Sequence, residues 1–384
     1  MTEPFDVCGP LPQGTVVLEA SAGTGKTTTM ASLTARYVAE GVARLPELML
    51  VTFGRLATSE LRERVRERLV VVERALRNDA VDPTDPVIAL LAGTDRAARA
   101  QRLREALAEF DAATITTTHG FCQQMLTSLG TLGDVEPDAR LVPDIASLEA
   151  EVVDDLYLRK YASTAKPTLT VKDARTIAHE AISDAAATLE PADGTDARAR
   201  DSFGLATAAR RELVRRKRAL RVLDYDDLLI LLRDALSDPS TGPAAAERVR
   251  SRYRIVMVDE FQDTDPVQWD ILRTAFHGHR TLVLIGDPKQ AIYRFRGADV
   301  ATYLRARAVA TTQTLHRNWR ADPAVLDGLA PILSGTALGD ARIVVHPIEP
   351  ARTRRRLRGG PAVRLRQVTR PALGISGDAP PPVG

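Results

Sequence analysis

Short apolar runs that alternate with charged helical stretches are the main pattern along this chain. Helices are predicted where apolar residues recur at helical spacing, as in 57–77, where Leu61, Val65 and Leu69 stand four apart. Strands are predicted where apolar or β-branched residues stand together, at 15–18, 48–52, 113–118, 255–258 and 281–285. Strands that alternate with helices indicate an α/β fold with a parallel sheet.

The pattern changes in the middle of the chain. Long amphipathic helical stretches, such as 145–161 and 206–220, are separated there by breaks rich in proline, aspartate and glycine. We therefore expect a mostly helical subdomain that interrupts the α/β domain. The predicted parts are 1–132 and 223–335 for the α/β domain, 133–222 for the insertion, and 336–384 for a basic tail or the start of a second domain.

Composition narrows the class of protein. The chain has 384 residues, of which 44% are hydrophobic and 27% charged, as is typical of a soluble globular protein. Its two cysteines, Cys8 and Cys122, are too few for a disulfide framework or an iron–sulfur cluster. The sequence also lacks a signal-like start and an apolar run of membrane-spanning length. We expect a cytoplasmic protein that does not bind a membrane.

Charge is nearly balanced overall but uneven along the chain. The net charge is +2, whereas arginines dominate residues 342–370, where Glu349 is the only acid. This stretch is either a phosphate-contacting surface or a solvated end of the chain, and the solvated end is favoured.

The segment EASAGTGKTTT at 19–29 predicts a phosphate-binding loop. It follows a predicted strand and precedes a predicted helix, which is the context that such a loop requires, although alanine stands where the first glycine is usual. Its glycines let backbone N–H groups converge on phosphate oxygens, Lys26 reaches the β- and γ-phosphates, and Thr27 offers a hydroxyl to Mg²⁺. The residues predicted to hold the nucleotide are Ala20, Ser21, Ala22, Gly23, Thr24, Gly25, Lys26, Thr27 and Thr28.

The segment IVMVDEFQDTD at 255–265 is a predicted buried strand that ends in paired carboxylates. An acid at a strand tip near a phosphate-binding loop is suited to bind Mg²⁺, and Asp259 is the candidate. The adjacent Glu260 could orient or deprotonate an attacking water. Paired acids are more often solvated turns or helix caps, but the preceding apolar strand favours a catalytic role here.

Several segments stand in an order that resembles the UvrD/Rep/PcrA group of superfamily 1 DNA helicases. The main motifs of that group are similar to ASAGTGKT, VDEFQDT, GDPKQAIYRFRGAD and LHRNWRA, and its accessory motifs are similar to TFGRLATSELRERV, TTTHGFC and LDYDDLL. Within the group the chain resembles the RecB-like branch, because FDVCGPLPQGTVVLEASAGTGKT is similar to the RecB amino terminus.

The resemblance implies a fold, an activity and partners. It implies a RecA-like ATPase domain that uses ATP and Mg²⁺ and moves 3′ to 5′ along single-stranded DNA, starting from duplex ends. It further implies RecC-like and RecD-like partner subunits and a role in double-strand-break repair and recombination.

The resemblance also assigns roles to individual residues. Gln290 and Arg320 face the γ-phosphate, and Trp319 stacks on adenine. The positions along the DNA path are Thr52, Phe53 and His119, together with the base-stacking Tyr293 and Phe295. Phe121 and Trp269, by contrast, are expected in the core, because burial is the commoner fate of lone aromatic residues.

The chain departs from the family pattern in several places. Gly54, Arg55 and Leu56 replace residues usual in motif Ia, and Thr28 replaces an arginine that sandwiches adenine in UvrD. Segments similar to motifs V and VI, and to the RecB nuclease region, are missing from the sequence. We therefore expect the amino-terminal region of a RecB-like helicase. The alternatives are a nucleotide- and DNA-binding fragment without motor activity, and a UvrD-like or AddA-like relative.

Overall fold

The computed structural model has strands and helices that alternate along the chain. It describes residues 3–78, 82–133, 139–183, 187–190, 196–291, 299–354, 356 and 360–365. The strands are β1 (Glu3–Pro4), β2 (Thr15–Ala20), β3 (Leu48–Thr52), β4 (Thr114–Thr117), β5 (Arg140–Leu141), β6 (Val222–Leu223), β7 (Ile255–Val258), β8 (Thr281–Gly286), β9 (Thr311–Leu315), β10 (Arg317–Asn318), β11 (Ala337–Leu338), β12 (Asp340–Val344) and β13 (Glu349–Pro350). The helices are α1 (Lys26–Ala39), α2 (Arg55–Asn78), α3 (Pro86–Ala92), α4 (Arg96–Ala108), α5 (Thr118–Leu129), α6 (Ala146–Tyr161), α7 (Val171–Ser183), α8 (Ala197–Leu220), α9 (Tyr225–Ser237), α10 (Gly242–Arg252), α11 (Pro266–Phe276), α12 (Val300–Ala308) and α13 (Pro323–Leu333).

A parallel sheet lies at the centre of the fold. Within the described residues it has seven strands, in the order β1-β9-β2-β8-β7-β3-β4. Neighbouring strands all run in the same direction. Their carboxyl ends therefore meet at one edge, where ligands bind in open α/β sheets. The predicted α/β fold with a parallel sheet and a mostly helical insertion is confirmed.

Apolar layers cover both faces of the sheet, because successive strand residues point to opposite faces. Leu18 and Leu50 belong to the core that the sheet forms with α1, α2 and α4. Val17 and Met49 belong to the core on the other face, with α5, α9 and α11. The second core contains Phe121 and Trp269, which are 1% and 3% exposed. The prediction that both are core residues is confirmed.

Helices α6, α7 and α8 pack around a separate apolar cluster. It includes Val153 of α6, Ala174 and Ala178 of α7, and Ala209 of α8. The chain enters and leaves this helical unit through β5 and β6, which pair in parallel. The boundaries 133 and 222 of the predicted insertion stay a prediction.

A buried ion pair joins the end of α8 to the start of α9. Lys217 is 7% exposed and lies 2.5 Å from Asp224 Oδ2 and 3.0 Å from Asp227 Oδ2. The two aspartates also form a capping box, because each carboxylate accepts a hydrogen bond from the backbone N–H of the other. Burial pulls the pKa of Lys217 down, but Asp224 and Asp227 raise it above its ordinary value. The acids of LDYDDLL therefore fix the junction between the helical unit and the α/β core.

The observed elements differ from the predicted ones where polar residues form them. β9 reads TTQTL and pairs with β2, but its polar composition gave no strand signal. α8 begins at Ala197, well before the predicted residue 206, because Asp196 caps it by accepting a hydrogen bond from Ala199 N. In the ranges that the structure describes, every helix falls short of the length and apolarity needed to cross a membrane.

Replacing Lys217 tests the ion pair at this junction. Lys217→Met leaves two carboxylates close together in a poorly solvated place, so we expect a loss of about 3 kcal/mol in the free energy of unfolding. Urea denaturation followed by circular dichroism measures the change. Lys172→Met, at an exposed position of α7, is the matched control and should unfold like the wild type. Equal midpoints for the two variants would contradict the structural role of Lys217.

Candidate functional site

The predicted phosphate-binding loop, residues 20–28 and called the P-loop below, connects strand β2 to helix α1. β2 ends at Ala20 and α1 begins at Lys26. Gly23 and Gly25 have φ angles of 83° and 87°, a left-handed conformation that favours glycine. The loop therefore turns tightly and leaves the amino end of α1, with its free N–H groups, available to an anion.

The other predicted P-loop residues differ in exposure. Thr24 is buried, and its hydroxyl donates a hydrogen bond of 2.8 Å to the carbonyl of Ser21, which stabilises the turn. Ala22 and Thr28 are exposed, and Thr27 is partly exposed. Thr27 thus follows Lys26 in the first turn of α1.

Lys26 forms an ion pair with Glu260, which follows β7. Glu260 has a φ of 49°, a left-handed conformation that costs a non-glycine residue about 1 kcal/mol or more. Its Oε2 also accepts a hydrogen bond of 2.8 Å from Gln262 Nε2. The Glu260 carboxylate is therefore held at the P-loop by a cation and an amide.

A chain of hydrogen bonds continues from Glu260 to the end of the neighbouring strand β8. Gln262 is 2% exposed, and its Oε1 accepts a hydrogen bond of 2.8 Å from Asp287 N. Asp287, also 2% exposed, accepts a hydrogen bond of 2.8 Å from Gln290 Nε2 and lies 2.6 Å from Lys289 Nζ. We call Lys26, Glu260, Gln262, Asp287 and Gln290 the polar relay. It brings the predicted Lys26, Glu260 and Gln290 into one network.

Two aspartates near Glu260 have raised pKa values. Burial, reinforced by the charge of Glu260, raises the pKa of Asp259 from 3.8 to about 6. The same two causes raise the pKa of Asp263 to about 6. Asp259 Oδ1 accepts a hydrogen bond of 3.0 Å from Glu260 N. The acidic end of β7 is therefore a place where negative charge is poorly compensated and a cation would be stabilised.

The donors present at this end of β7 fit a magnesium site built with a nucleotide. In the part of the chain that the structure describes, His, Cys, Asp and Glu do not form a cluster of three that could hold a metal by themselves. Mg²⁺ is commonly bound by one or two protein oxygens together with phosphate oxygens and water. The predicted ligands Asp259 and Thr27 match that requirement, and their assignment stays a prediction.

Trp319 and Arg320 lie against the P-loop. Trp319 N donates a hydrogen bond of 2.8 Å to the carbonyl of Gly23. A Cβ built on Gly25 would lie 3.6 Å from Trp319 Cδ1, and one built on Gly23 would lie 2.8 Å from Arg320 Cβ. Trp319 is 56% exposed. Both predicted nucleotide-binding side chains thus stand beside the predicted phosphate loop.

Arginines of the basic stretch are hydrogen-bonded to the same segment. Arg352 Nε donates 2.7 Å to the carbonyl of Trp319, and Arg356 Nη2 donates 2.9 Å to the carbonyl of Arg320. Arg356 Nε also lies 3.1 Å from Asp322 Oδ1. These two arginines therefore contact the segment that carries Trp319 and Arg320, while Arg356 itself is exposed. The favoured interpretation of a solvated end stays a prediction.

The predicted DNA-binding residues follow neighbouring strands but differ in exposure. Phe53 follows β3 and is 37% exposed, whereas Thr52 is 2% exposed and its hydroxyl lies 2.6 Å from that of Thr58. His119, at the start of α5, packs edge-on against Tyr225 with ring centroids 5.3 Å apart, and burial lowers its pKa. Tyr293 and Phe295 lie outside the described residues.

Reasoning from the sequence missed residues that connect the predicted ones. Gln262 and Asp287 stand inside the motifs VDEFQDT and GDPKQAIYRFRGAD. That position was the only sign in the sequence that these two residues belong to the site. Tyr225 accepts a hydrogen bond of 3.0 Å from Arg55 Nη2, and this contact joins LDYDDLL to the start of α2. Asn318 stands in NWR beside two predicted residues.

The raised pKa of Asp259 predicts how stability depends on pH. A folded-state pKa near 6, above the ordinary 3.8, means that the fold favours the neutral acid and loses stability as pH rises through 6. Asp259→Asn stays neutral at every pH. Its free energy of unfolding, relative to that of the wild type, should therefore rise by roughly 2 kcal/mol between pH 4.5 and 8. Denaturant titrations without Mg²⁺ measure the gap. Asp270→Asn, at a partly exposed position of α11, should follow the wild type, and a constant gap for Asp259→Asn would contradict the prediction.

Proteins of the RecB type are similar in sequence to most of this chain. The family model of the UvrD/REP helicase N-terminal domain matches residues 6–310. The RecBCD enzyme subunit RecB of Mycolicibacterium smegmatis is 50% identical over 374 residues, which cover 95% of this chain and 34% of that protein. The RecB subunit of Mycobacterium tuberculosis H37Rv is 46% identical, with 99% of this chain and 35% of that protein covered. For the RecB subunit of Escherichia coli K12 the identity is 29%, and the covered shares are 84% and 38%.

The chain spans little more than a third of the length of these RecB subunits. The family match, in contrast, covers most of the chain and includes the P-loop, the polar relay and the helical unit. Membership of this family implies the use of ATP, typically with Mg²⁺. Within the family, the chain resembles the RecB subunits. It belongs to the UvrD/REP helicase family and contains the amino-terminal domain of that family.

Proposed function

We propose that this chain is the ATP-binding region of a RecB-type DNA helicase, which couples ATP hydrolysis to 3′-to-5′ movement along single-stranded DNA. The observation that carries the proposal is the polar relay, because it joins the P-loop to the segment that leads into the predicted base-stacking loop. Gln290 ends the relay three residues before Tyr293 in the sequence. The proposed setting is the cytoplasm, with duplex ends that are processed for recombinational repair.

The proposed roles at the ATP site follow from charge and position. Lys26 exchanges its ion pair with Glu260 for the β- and γ-phosphates, which leaves the Glu260 carboxylate free to orient the attacking water and accept its proton. Mg²⁺, when bound, offsets negative charge on the phosphates, with Asp259 and Thr27 as its protein ligands. Arg320 stabilises charge that develops on the γ-phosphate. Trp319, with its exposed ring, stacks on adenine.

The proposed DNA path crosses the carboxyl edge of the sheet beside the ATP site. Phe53 and His119 follow the neighbouring strands β3 and β4, so both stand at that edge. An exposed aromatic side chain such as Phe53 suits stacking on a base, which is independent of sequence. Arg55 adds positive charge beside Tyr225. Tyr293 and Phe295, which follow Gln290 in the sequence, are the other proposed stacking residues. The buried Thr52 supports the turn at Phe53 and Gly54 through its hydroxyl.

RecC-like and RecD-like subunits are the proposed protein partners. The similar proteins are named as RecB subunits of a RecBCD enzyme, and identities of 46% and 50% support a RecB type over a UvrD-like or AddA-like relative. A second candidate function is a nucleotide- and DNA-binding module without motor activity. It is favoured by α13, which follows Arg320 in the chain and whose apolar Leu329, Ile332 and Leu333 are 36–50% exposed, since an exposed apolar face is typical of a surface that binds another protein.

Replacing Lys26 tests the proposed function. We expect the chain to hydrolyse ATP faster when single-stranded DNA is added, and Lys26→Ala to lower that turnover by about 100-fold, because the charge on the phosphates is no longer offset. Phosphate release with and without an oligonucleotide measures it. Lys166→Ala, at an exposed position of the helical unit, is the matched control and should keep full turnover. Binding of ATP and DNA without turnover by the unmodified chain would favour the binding module instead.

A further inference from the structure

The Asn318 side chain is buried between the P-loop and the segment that follows β10. Asn318 is 5% exposed, and its Nδ2 donates a hydrogen bond of 2.8 Å to the carbonyl of Ala22. Its Oδ1 accepts hydrogen bonds of 2.9 Å from Arg320 N and 2.8 Å from Ala321 N. We call residues 318–321 the 318–321 turn. One amide thus shapes this turn and fastens it to the P-loop.

The P-loop side of this contact requires glycine. A Cβ on Gly23 would lie within 3.0 Å of both Asn318 side-chain polar atoms and 2.8 Å from Arg320 Cβ. The backbone bond from Trp319 N to the Gly23 carbonyl runs beside the amide bond to Ala22. Close approach therefore allows two adjacent carbonyls of the P-loop to accept hydrogen bonds from the 318–321 turn.

The opposite side of the turn is supported by the basic stretch. Arg352 and Arg356 donate to the carbonyls of Trp319 and Arg320. Arg356 is itself held by Asp322, which is 3% exposed and accepts a hydrogen bond of 2.7 Å from Arg356 N. The 318–321 turn is thus held by these arginines on one side and by the Asn318 amide on the side of the P-loop.

We propose that Asn318 is a positioning residue of the ATP site, which holds the 318–321 turn on the P-loop so that Arg320 stands at the γ-phosphate. The proposal rests on the proposed function, in which Arg320 contacts the γ-phosphate. A buried amide that bonds on both sides is costly to remove, because its partners stay buried without replacements. Loss of the bond to Ala22 lets the turn move away from the loop. The γ-phosphate then loses a charge-assisted hydrogen bond, whereas the α- and β-phosphates keep the P-loop.

The preference for ATP over ADP therefore depends on Asn318. We expect the wild-type chain to bind the imido analogue of ATP more tightly than ADP, both with Mg²⁺. Asn318→Ser keeps an oxygen that can accept from Arg320 N but is too short to reach Ala22. In this variant the ratio of the two affinities should fall by about tenfold, the value of one charge-assisted hydrogen bond.

Isothermal titration calorimetry on the 384-residue chain measures both affinities for each variant. Asn78→Ser, at the exposed end of α2, is the matched control and should keep the wild-type ratio. Asn318→Ser with Arg320→Ala should show the same ratio as Arg320→Ala alone if Asn318 acts through Arg320. A wild-type ratio in Asn318→Ser, or an equal loss of both affinities, would overturn the proposal.

The affinity ratio of Arg320→Ala alone separates the two ways in which the proposal could fail. If Arg320→Ala leaves the ratio unchanged, the proposed role of Arg320 is wrong, and the positioning role fails with it. If Arg320→Ala lowers the ratio and Asn318→Ser does not, the positioning role alone is wrong. If Asn318→Ser unfolds below room temperature, Asn318→Thr replaces it under the same criteria. Threonine keeps the accepting hydroxyl of serine and adds a methyl group on Cβ.

Discussion

The buried amide of Gln262 is the interaction on which the arrangement of the ATP site depends. An amide that is 2% exposed must find partners for both its donor and its acceptor, because an unpaired polar group in this environment is costly. Its donor meets Glu260 after β7, and its acceptor meets Asp287 after β8. The ends of β7 and β8 are therefore held together by the Gln262 side chain as well as by the backbone hydrogen bonds between the two strands. Gly286 is required at this contact, since a Cβ there would lie 2.7 Å from Gln262 Oε1.

Unfavourable features are concentrated at the carboxyl edge of the sheet. Asp259 and Asp263 are carboxylates whose pKa values are raised by burial and by Glu260. Glu260 adds a left-handed backbone conformation, which is unfavourable for a non-glycine residue. The two apolar cores that enclose the sheet compensate for this cost, as is usual where a fold supports a binding site. A nucleotide with Mg²⁺ would relieve the charge at this edge, which links the stability of the site to its ligand.

The sequence predicted the apolar part of the fold well and the polar contacts less well. The bounds of β3 and β7 match the predicted 48–52 and 255–258, because buried strands in a parallel sheet are continuous apolar runs. The P-loop was found from its glycines and its context. β9 was missed because its threonines and glutamine pair with β2 through the backbone, and composition does not reveal such pairing.

The missed site residues share one physical property. Gln262, Asp287 and Asn318 act by joining two loops that are distant in the chain, and partners of this kind are set by the fold and not by local sequence. The arginines of the basic stretch illustrate the same limit. Their charge suggested solvent or phosphate, whereas Arg352 and Arg356 bond to the backbone carbonyls of Trp319 and Arg320. Spacing and composition locate the elements of the site, and tertiary structure decides which polar groups connect them.

Coupling between nucleotide and DNA through Gln262 is the central claim, and the change in single-stranded DNA affinity on nucleotide binding tests it most directly. Fluorescence anisotropy with and without the Mg²⁺ complex of the imido analogue of ATP gives this coupling for the wild type, for Gln262→Met and for the exposed control Gln123→Met. If the polar relay transmits the coupling, nucleotide changes the DNA affinity of the wild type and of Gln123→Met. Gln262→Met still binds each ligand but loses most of this change. A Gln262→Met variant with undiminished coupling would contradict it.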